Sequence, residues 1–227
     1  MDIYGIFVAG GSGTRMGSDI PKQFIELEGV PILQRTIARF VDALPSLRVI
    51  TVLPERHTAD WKRLCVEHDF NVPQILVPGG ITRFHSVQNA LSRVPDGSIV
   101  LIHDGVRPFV SPALIRSLVE KVRDGSPAVI PVTPAVDTLR WADAHFPDPD
   151  RSKIVCVQTP QVFRSETVKA AYTRAYDLSF TDDASVVAAY GKPLVHVPGE
   201  RLNIKLTTPE DLELARALIL SGLSSCS

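Results

Sequence analysis

The chain has 227 residues, of which 44% are hydrophobic and 22% are charged, and these fractions are typical of globular proteins. The composition excludes fibrous, collagen-like and wholly disordered classes, and the length suits one large domain or two small ones. The formal net charge is -1 and the isoelectric point is about 6.6. A general affinity for nucleic acid or for an anionic membrane is therefore excluded, because both need an excess of basic residues.

The cysteines and the N-terminus indicate the compartment. Three widely spaced cysteines, Cys65, Cys156 and Cys226, argue against a disulfide framework or a zinc site and favour a reducing environment. The N-terminus lacks the basic segment of a signal peptide, and no run of about 18 apolar residues could span a membrane. We therefore expect a cytoplasmic protein in which Cys65 and Cys156 pack in the core.

Short apolar runs alternate with helical patterns along the chain. The first run, Ile3–Ala9, ends in glycines, and the segment Pro31–Leu44 places apolar residues on one helical stripe. Ser111 and Thr208 are each followed by proline, which is typical of a capped helix start. Further strands are predicted at Arg48–Leu53, Ser98–His103 and Ala128–Val132.

The order of these elements predicts the fold class. Apolar strands without clean alternation suit a sheet that is covered on both faces. Strands that alternate with helices predict an α/β fold with a doubly wound, mostly parallel, twisted sheet and right-handed crossovers, which is a Rossmann-like architecture. We expect residues 1–227 to form a single domain.

The segment from about 134 to 153 breaks the alternation. It predicts two strands, Thr138–Trp141 and Ile154–Val157, joined by a tip rich in proline and aspartate. Such a ribbon exposes strand edges and has little to bury against in its own domain. The pattern therefore predicts a protruding β-arm, which serves either as a lid or as a dimerisation arm between two copies of the chain.

A glycine-rich segment, Ala9–Gly17, directly follows the first strand. Its glycines let backbone N–H groups surround an anion. The segment lacks the Gly-Lys-Ser/Thr ending of a P-loop, and a dinucleotide fingerprint counted from Gly11 fails at Met16. Because the loop carries its own cation, Arg15, and Lys22 follows shortly after, the sequence predicts a phosphate site rather than only a tight turn.

Further motifs follow in order along almost the whole chain. They are Pro21-Lys22-Gln23, Gly79-Gly80 with Arg83 and Ser86, His103–Phe109, Asp137-Thr138, Thr159-Pro160-Gln161, Thr181–Ser185 and Asn203-Ile204-Lys205. With the glycine-rich segment, the set resembles the nucleotidyltransferases that activate sugars and polyols with nucleoside triphosphates. Each motif is weak alone, but together they are similar to the 2-C-methyl-D-erythritol 4-phosphate cytidylyltransferase family of non-mevalonate isoprenoid synthesis.

The resemblance implies a transfer in which a substrate phosphate attacks the α-phosphorus of CTP and pyrophosphate leaves. Charge then spreads over non-bridging oxygens, so catalysis rests on positioning and electrostatic stabilisation. Arg15 suits the β- and γ-phosphates, because a guanidinium forks onto oxygens. Lys22 and Lys205 suit the α-phosphate as compact charges. These three residues are the predicted catalytic residues.

The resemblance also implies the binding residues. For CTP they are Ala9, Gly10, Gly11, Gly13, Thr14, Gly79, Gly80, Arg83 and Ser86, of which Gly79, Gly80 and Ser86 would read the base. For the polyol phosphate they are Asp104, Arg107, Thr138, Arg151 and Thr159. Triphosphate chemistry implies Mg²⁺ or another divalent cation, held through the CTP phosphates with Asp104 as a candidate ligand. His103 is interpreted as a packed strand-end residue rather than a base.

The resemblance further implies a homodimer in which Thr138 and Arg151 of one arm reach the site of the other copy. Two positions depart from the family pattern: Ile81 stands where some relatives have a polar residue, and Leu202 where relatives often have an acid.

Three alternative functions stay open from the sequence. They are cytidylyl transfer to D-ribitol 5-phosphate, a sugar-1-phosphate uridylyl- or guanylyltransferase, and a catalytically silent nucleotide-binding dimerisation module. The motif Thr181–Ser185 favours the erythritol substrate over ribitol phosphate. The short chain argues against the sugar-1-phosphate enzymes. The joint presence of Arg15, Lys22 and Lys205 favours an enzyme over a silent module.

Overall fold

Strands and helices alternate through the computed structural model, which describes residues 1–11, 20–142 and 148–223. The strands are β1 (Ile3–Val8), β2 (Glu26–Leu27), β3 (Val30–Pro31), β4 (Arg48–Leu53), β5 (Gln74–Pro78), β6 (Ile99–Asp104), β7 (Ala128–Pro134), β8 (Val155–Val157), β9 (Gln161–Arg164) and β10 (Val195–Pro198). The helices are α1 (Ile32–Ala43), α2 (Thr58–Glu67), α3 (Arg83–Leu91), α4 (Pro112–Arg123), α5 (Ser165–Ala171), α6 (Asp183–Ala189) and α7 (Pro209–Leu220).

One mixed sheet organises the described residues. Its strands lie in the order β10-β7-β9-β6-β1-β4-β5, and β8 pairs with β7. The pairs β6–β1, β1–β4, β4–β5 and β10–β7 are parallel, whereas β9 runs antiparallel to both β6 and β7. The predicted mostly parallel sheet is confirmed.

Helices cover the sheet on both faces. The side chains of Leu33 and Phe40 on α1 share one buried cluster with residues of α2 and α4. The side chain of Val87 on α3 shares a second cluster with residues of α5 and α6. Neighbouring β1 residues Ile6 and Phe7 belong to different clusters, as the alternation of a strand requires. The predicted doubly wound arrangement is therefore confirmed.

Two helix starts follow the predicted capping chemistry. Ser111 Oγ accepts a hydrogen bond from the Leu114 N–H at 3.0 Å, and proline is the first residue of α4. At α7, Thr208 and Asp211 cap each other's backbone N–H groups in a reciprocal box. Each cap satisfies backbone donors that a helix end leaves without an intrahelical partner. No helix in the described part of the chain is long and apolar enough to cross a membrane.

The arm, which we define as residues 135–154, differs from the predicted ribbon. β7 and β8 pair antiparallel at its base, so the second predicted strand is present. The first is absent, because Thr138–Trp141 has no strand structure. Proline at position 149 lacks the backbone donor that a strand ladder needs on the opposite limb. The predicted tip falls largely on residues 143–147, which lie outside the described residues.

Side chains, rather than a backbone ladder, connect the two limbs of the arm. The Arg151 guanidinium donates a hydrogen bond to the Val136 carbonyl at 2.8 Å. Arg140 pairs with Asp148 at 2.9 Å. Cys156 lies exposed on β8 at the base of the arm, so its predicted core position is wrong, and Cys65 is only partly buried.

Candidate active site

A cavity of about 450 Å³ opens at the edge of the sheet where β1, β4, β5 and β6 end. These strands are parallel, so their carboxyl ends meet at the same edge, where open α/β sheets bind ligands. We call this space the edge cavity. It is lined by Val8, Ala9, Gly10, Gly11, Lys22, Gln23, Pro54, Glu55, Gly79, Gly80, Ile81, Thr82, Arg83, Ser86, Asp104, Val106 and Lys205.

The segment after β1 forms one wall of the edge cavity. A Cβ atom on Gly11 would lie 2.9 Å from Cε of Lys22, so glycine at this position allows the lysine side chain to lie against the loop. Both residues line the cavity, and their predicted contacts with CTP stay predictions. Gly13, Thr14 and Arg15 lie outside the described residues, so their proposed contacts stay predictions.

The turn between β5 and α3 forms a second wall. The Gly80 N–H donates to Ser86 Oγ at 3.0 Å, and the Ser86 hydroxyl donates to the Thr82 carbonyl at 2.9 Å. A Cβ atom on Gly80 would lie only 2.4 Å from that of His85, which explains glycine there. The structure thus gives the Ser86 hydroxyl the task of holding the turn, and its predicted contact with a base stays a prediction.

Three cations surround the carboxylate of Asp104 at the end of β6. Lys205 Nζ lies 2.9 Å and Arg107 Nε 3.4 Å from Oδ2, whereas Arg83 Nε lies 3.6 Å from Oδ1. We call these four residues the Asp104 cluster. They come from α3, β6 and the loops before α4 and α7, so the fold joins residues that are more than 100 positions apart in the chain.

The Asp104 cluster has a definite charge state. Burial alone would raise the pKa of Asp104, but the charges of Arg83, Lys205 and Arg107 outweigh it and hold the pKa well below its usual value. Asp104 is therefore a carboxylate at any physiological pH. Burial lowers the pKa of Arg107, which still keeps its charge because a guanidinium starts from a very high value.

Asp183, which the sequence placed in a motif without a role, is the main partner of Arg83. Its two oxygens accept hydrogen bonds from both terminal nitrogens of the Arg83 guanidinium, at 2.9 and 2.7 Å. The Tyr172 hydroxyl donates to the same carboxylate at 2.6 Å. Burial would lower the pKa of Arg83, but Asp183 and Asp104 raise it. The predicted contact between Arg83 and CTP therefore has to be made by a guanidinium that two carboxylates already hold.

Below the cavity, a buried hydrogen-bond chain supports the Asp104 cluster. His103 Nε2 lies 3.1 Å from the Arg107 carbonyl, which can only accept, so this nitrogen carries the proton. His103 Nδ1 then accepts from the Thr159 hydroxyl at 2.9 Å, and Thr159 Oγ1 accepts from the Asp104 N–H at 3.1 Å. Burial lowers the pKa of His103 to about 3, so the ring is neutral and serves structure, as the sequence indicated.

The residues predicted to bind the polyol phosphate are not brought together within one chain. Arg107 and Thr159 lie beside Asp104 but do not line the edge cavity, and their polar groups are engaged: Arg107 donates to the Asn203 carbonyl at 2.8 Å. Thr138 and Arg151 lie exposed on the arm, away from the cavity lining. Their substrate contacts stay predictions.

The Asp104 cluster does not fit a protein-held divalent cation. Magnesium needs several oxygen ligands, yet no group of three or more acidic, histidine or cysteine residues that could hold a metal is found in the described ranges. Of the carboxylates that line the edge cavity, Glu55 lies exposed at its rim and Asp104 already faces three cations. The geometry therefore speaks against Asp104 as the anchor of a metal.

The chain is similar to known proteins over almost its whole length. The family profile of 2-C-methyl-D-erythritol 4-phosphate cytidylyltransferase matches residues 3–221. The chain belongs to this family. Proteins of that name from Bacteroides thetaiotaomicron and Porphyromonas gingivalis are 47% and 46% identical over 215 and 221 residues, covering 94% and 96% of this chain and 98% of each relative.

Solved structures agree with the family assignment. The 4-diphosphocytidyl-2C-methyl-D-erythritol synthase of Anaerococcus prevotii is 29% identical, with a TM-score of 0.81, and the alignment covers 96% of both chains. The cytidylyltransferase of Thermus thermophilus is 31% identical, with a TM-score of 0.75, and covers 96% of this chain and 98% of its own. The predicted nucleotidyltransferase and its main interpretation, cytidylyl transfer in isoprenoid synthesis, are confirmed over the ribitol and non-catalytic alternatives.

Proposed function

We propose that the edge cavity is the site where this enzyme joins CTP to 2-C-methyl-D-erythritol 4-phosphate. A phosphate oxygen of the polyol forms a bond to the α-phosphorus of CTP, and the bond from that phosphorus to the bridging oxygen of pyrophosphate breaks. No proton has to move, because a phosphate anion is already a nucleophile. The protein's task is to bring two anions together and to stabilise the charge that develops on non-bridging oxygens.

Lys22 and Lys205 carry this proposal, because both ammonium-bearing side chains line the same cavity as the glycine turns. Lys205 is held from behind by Asp104 and is still 42% exposed, so it can share its remaining donors with a phosphate. The cavity and its supports contain the cations Lys22, Lys205, Arg83 and Arg107 against the carboxylates Glu55, Asp104 and Asp183. This excess of positive charge suits a triphosphate.

A divalent cation is proposed to accompany the nucleotide rather than to reside in the protein. The poor fit of the Asp104 cluster to a metal supports this view, since the phosphates of CTP would then supply most of its oxygen ligands. When bound, the cation would neutralise phosphate charge. All other stabilisation is assigned to the side chains of the chain itself.

We also propose a homodimer that is assembled through the arm and acts in the cytoplasm. Trp141 and Val136 are 54% and 63% exposed, and Val155 and Val157 at the base of the arm are 39% and 42% exposed. A second copy would cover these side chains with an equivalent surface. It would also bring Thr138 and Arg151 to a neighbouring edge cavity, where the polyol phosphate needs cationic and hydroxyl partners.

The direct test is incubation with CTP, Mg²⁺ and each polyol phosphate in turn, with release of pyrophosphate and formation of the CDP-polyol as readouts. We expect product with 2-C-methyl-D-erythritol 4-phosphate and a much lower kcat/KM with D-ribitol 5-phosphate. Replacement of CTP by UTP or ATP is expected to lower kcat/KM, because the wrong base leaves polar groups of the site unpaired. Equal rates with ATP, or faster turnover of ribitol phosphate, would overturn the assignment.

A further inference from the structure

Asp183 holds a cation of the Asp104 cluster without lining the edge cavity. It is the first residue of α6 and is fully buried. Its carboxylate accepts hydrogen bonds from both terminal nitrogens of Arg83 and a further one from the Tyr172 hydroxyl. This bidentate pairing fixes the plane of the guanidinium, because two parallel hydrogen bonds require the guanidinium and the carboxylate to be coplanar.

The fixed guanidinium then determines how Asp104 is shared. Arg83 presents only its third nitrogen, Nε, to Oδ1 of Asp104, at 3.6 Å. Oδ2 of the same carboxylate is left to Lys205 at 2.9 Å and to Arg107 at 3.4 Å. Each oxygen of Asp104 therefore has its own cations, and the carboxylate cannot turn away from Lys205 without losing one set of contacts.

We propose that Asp183 is a positioning residue for cytidylyl transfer, which acts through Arg83 and Asp104 to fix the ammonium group of Lys205 in the edge cavity. The inference deepens the proposed function and rests on it. Without the charge of Asp183, Asp104 is the carboxylate that remains within ion-pair distance of Arg83 among the residues that the structure describes. Arg83 would then turn its fork toward Asp104 and compete with Lys205 for Oδ2. Lys205 would lose its anchor although its own sequence context is unchanged.

The test compares Asp183→Asn with the matched change Asp177→Asn in the loop between α5 and α6. Asp177 is exposed, and its carboxylate accepts hydrogen bonds from the backbone and side chain of Ser179. We expect Asp183→Asn to lower kcat at least about tenfold and to change KM for CTP less than about threefold, since the loss falls on the transition state. Asp177→Asn is expected to behave as the wild type. A change in KM alone, or no change in kcat, would overturn the proposal.

A double-mutant comparison separates positioning from general destabilisation. If Asp183 acts through Arg83, adding Asp183→Asn to Arg83→Gln lowers kcat no further. Independent, multiplicative losses would contradict this route. If Asp183→Asn does not fold, Tyr172→Phe serves instead, because it removes one hydrogen bond to the Asp183 carboxylate. We expect this variant to lower kcat about threefold. In the Arg83→Gln background, the same change should lower kcat no further. An unchanged kcat in folded Tyr172→Phe would then count against the proposal.

A measurement that does not depend on turnover distinguishes the proposed function from the positioning role of Asp183. The ¹⁵N resonance of the Lys205 ammonium group, assigned with Lys205→Arg, is expected to shift in Asp183→Asn and to stay in place in Asp177→Asn. A shifted resonance in an enzyme that makes no CDP-polyol would refute the proposed function but support the positioning. An unshifted resonance in an active enzyme would refute the positioning alone.

Discussion

The edge cavity and the arm hold their functional groups in opposite ways. In the Asp104 cluster every charged side chain has an oppositely charged partner, and Arg83 is held in addition by Asp183. In the arm, by contrast, Arg151 has its guanidinium on a carbonyl of the neighbouring limb and is exposed, and Trp141 is more than half exposed.

This difference indicates what fixes the geometry of each part of the site. Buried, mutually paired charges keep one geometry, because any rearrangement leaves a charge unpaired in a medium of low dielectric. An exposed arm with few backbone pairs lacks this constraint and gains it only when another surface covers it. We therefore interpret the cavity as preformed for CTP, and the polyol half of the site as completed by a second copy of the chain.

Loss of a cavity cation should have the largest effect. Lys22→Ala is expected to lower kcat at least about 100-fold, the scale of losing one donor to a developing oxyanion. The exposed Lys121 on α4 provides the matched control, and Lys121→Ala should keep wild-type turnover. Steady-state kinetics with both substrates gives the answer, and near-normal turnover of Lys22→Ala would remove that residue from the mechanism.

A substitution in the arm should weaken the association of two chains. Trp141→Ser is expected to raise the dimer dissociation constant at least about tenfold, since buried aromatic side chains dominate interface energetics. Light scattering over a range of concentrations measures it. Leu178, which is 88% exposed outside the arm, serves as the control through Leu178→Ser. An unchanged dissociation constant in Trp141→Ser would show that the arm does not form the interface.

The chain beneath the cavity predicts a pH dependence of stability. The pKa of His103 is about 3 in the folded state against an ordinary 6.5, so between these values only the unfolded chain takes up its proton. The contribution of this neutral ring to the free energy of unfolding is therefore fully present above pH 6.5. Below that pH, the free energy of unfolding should fall by up to about 1.4 kcal/mol per pH unit. Urea unfolding between pH 7 and pH 5 measures how the free energy of unfolding depends on pH. This dependence should be weaker for His103→Gln than for the wild type or for His196→Gln, whose side chain is exposed. Equal slopes would contradict a neutral, buried His103.

The smallest effect is expected at the turn that holds Gly80. Ser86→Ala removes two hydrogen bonds, one from the Gly80 N–H in the cavity wall and one to the Thr82 carbonyl. We expect only the loss of the first to weaken CTP binding, by about 1 kcal/mol. We expect kcat/KM for CTP to fall about fivefold on that basis. Ser117→Ala, at an exposed helical serine that also donates to a backbone carbonyl, should have no effect. A loss of 100-fold would instead indicate direct contact with the nucleotide.

The sequence predicted the fold and the cavity better than the connections between residues. Strand patterns and caps such as Ser111 are local signals, and they placed β1, β4, β6, α4 and α7 to within about two residues. The family resemblance assigned Lys22, Gly80 and Lys205 to one site, and all three side chains or backbones line the edge cavity. The pairing of Arg83 with Asp183 joins positions 100 residues apart and leaves no local pattern.

Prediction also failed where local and non-local forces compete. Thr138–Trp141 alternates like a strand, yet it has no partner strand in the described part of the chain and lies between prolines. The contact of Thr159 with substrate stays a prediction, but the role of its hydroxyl in joining His103 to Asp104 could not be read from the motif. A motif residue can thus support a site from behind as well as touch its ligand.

Mixing two inactive variants tests the central claim most directly, namely that one chain supplies the cavity and the other supplies the arm. Lys22→Ala and Arg151→Ala are combined under conditions in which labelled subunits are shown to exchange. If sites are shared, each heterodimer has one site with both residues intact, and about a quarter of wild-type activity should return at equal mixing. No recovery despite complete exchange would mean that each site is built within a single chain, and the account of the arm would be wrong.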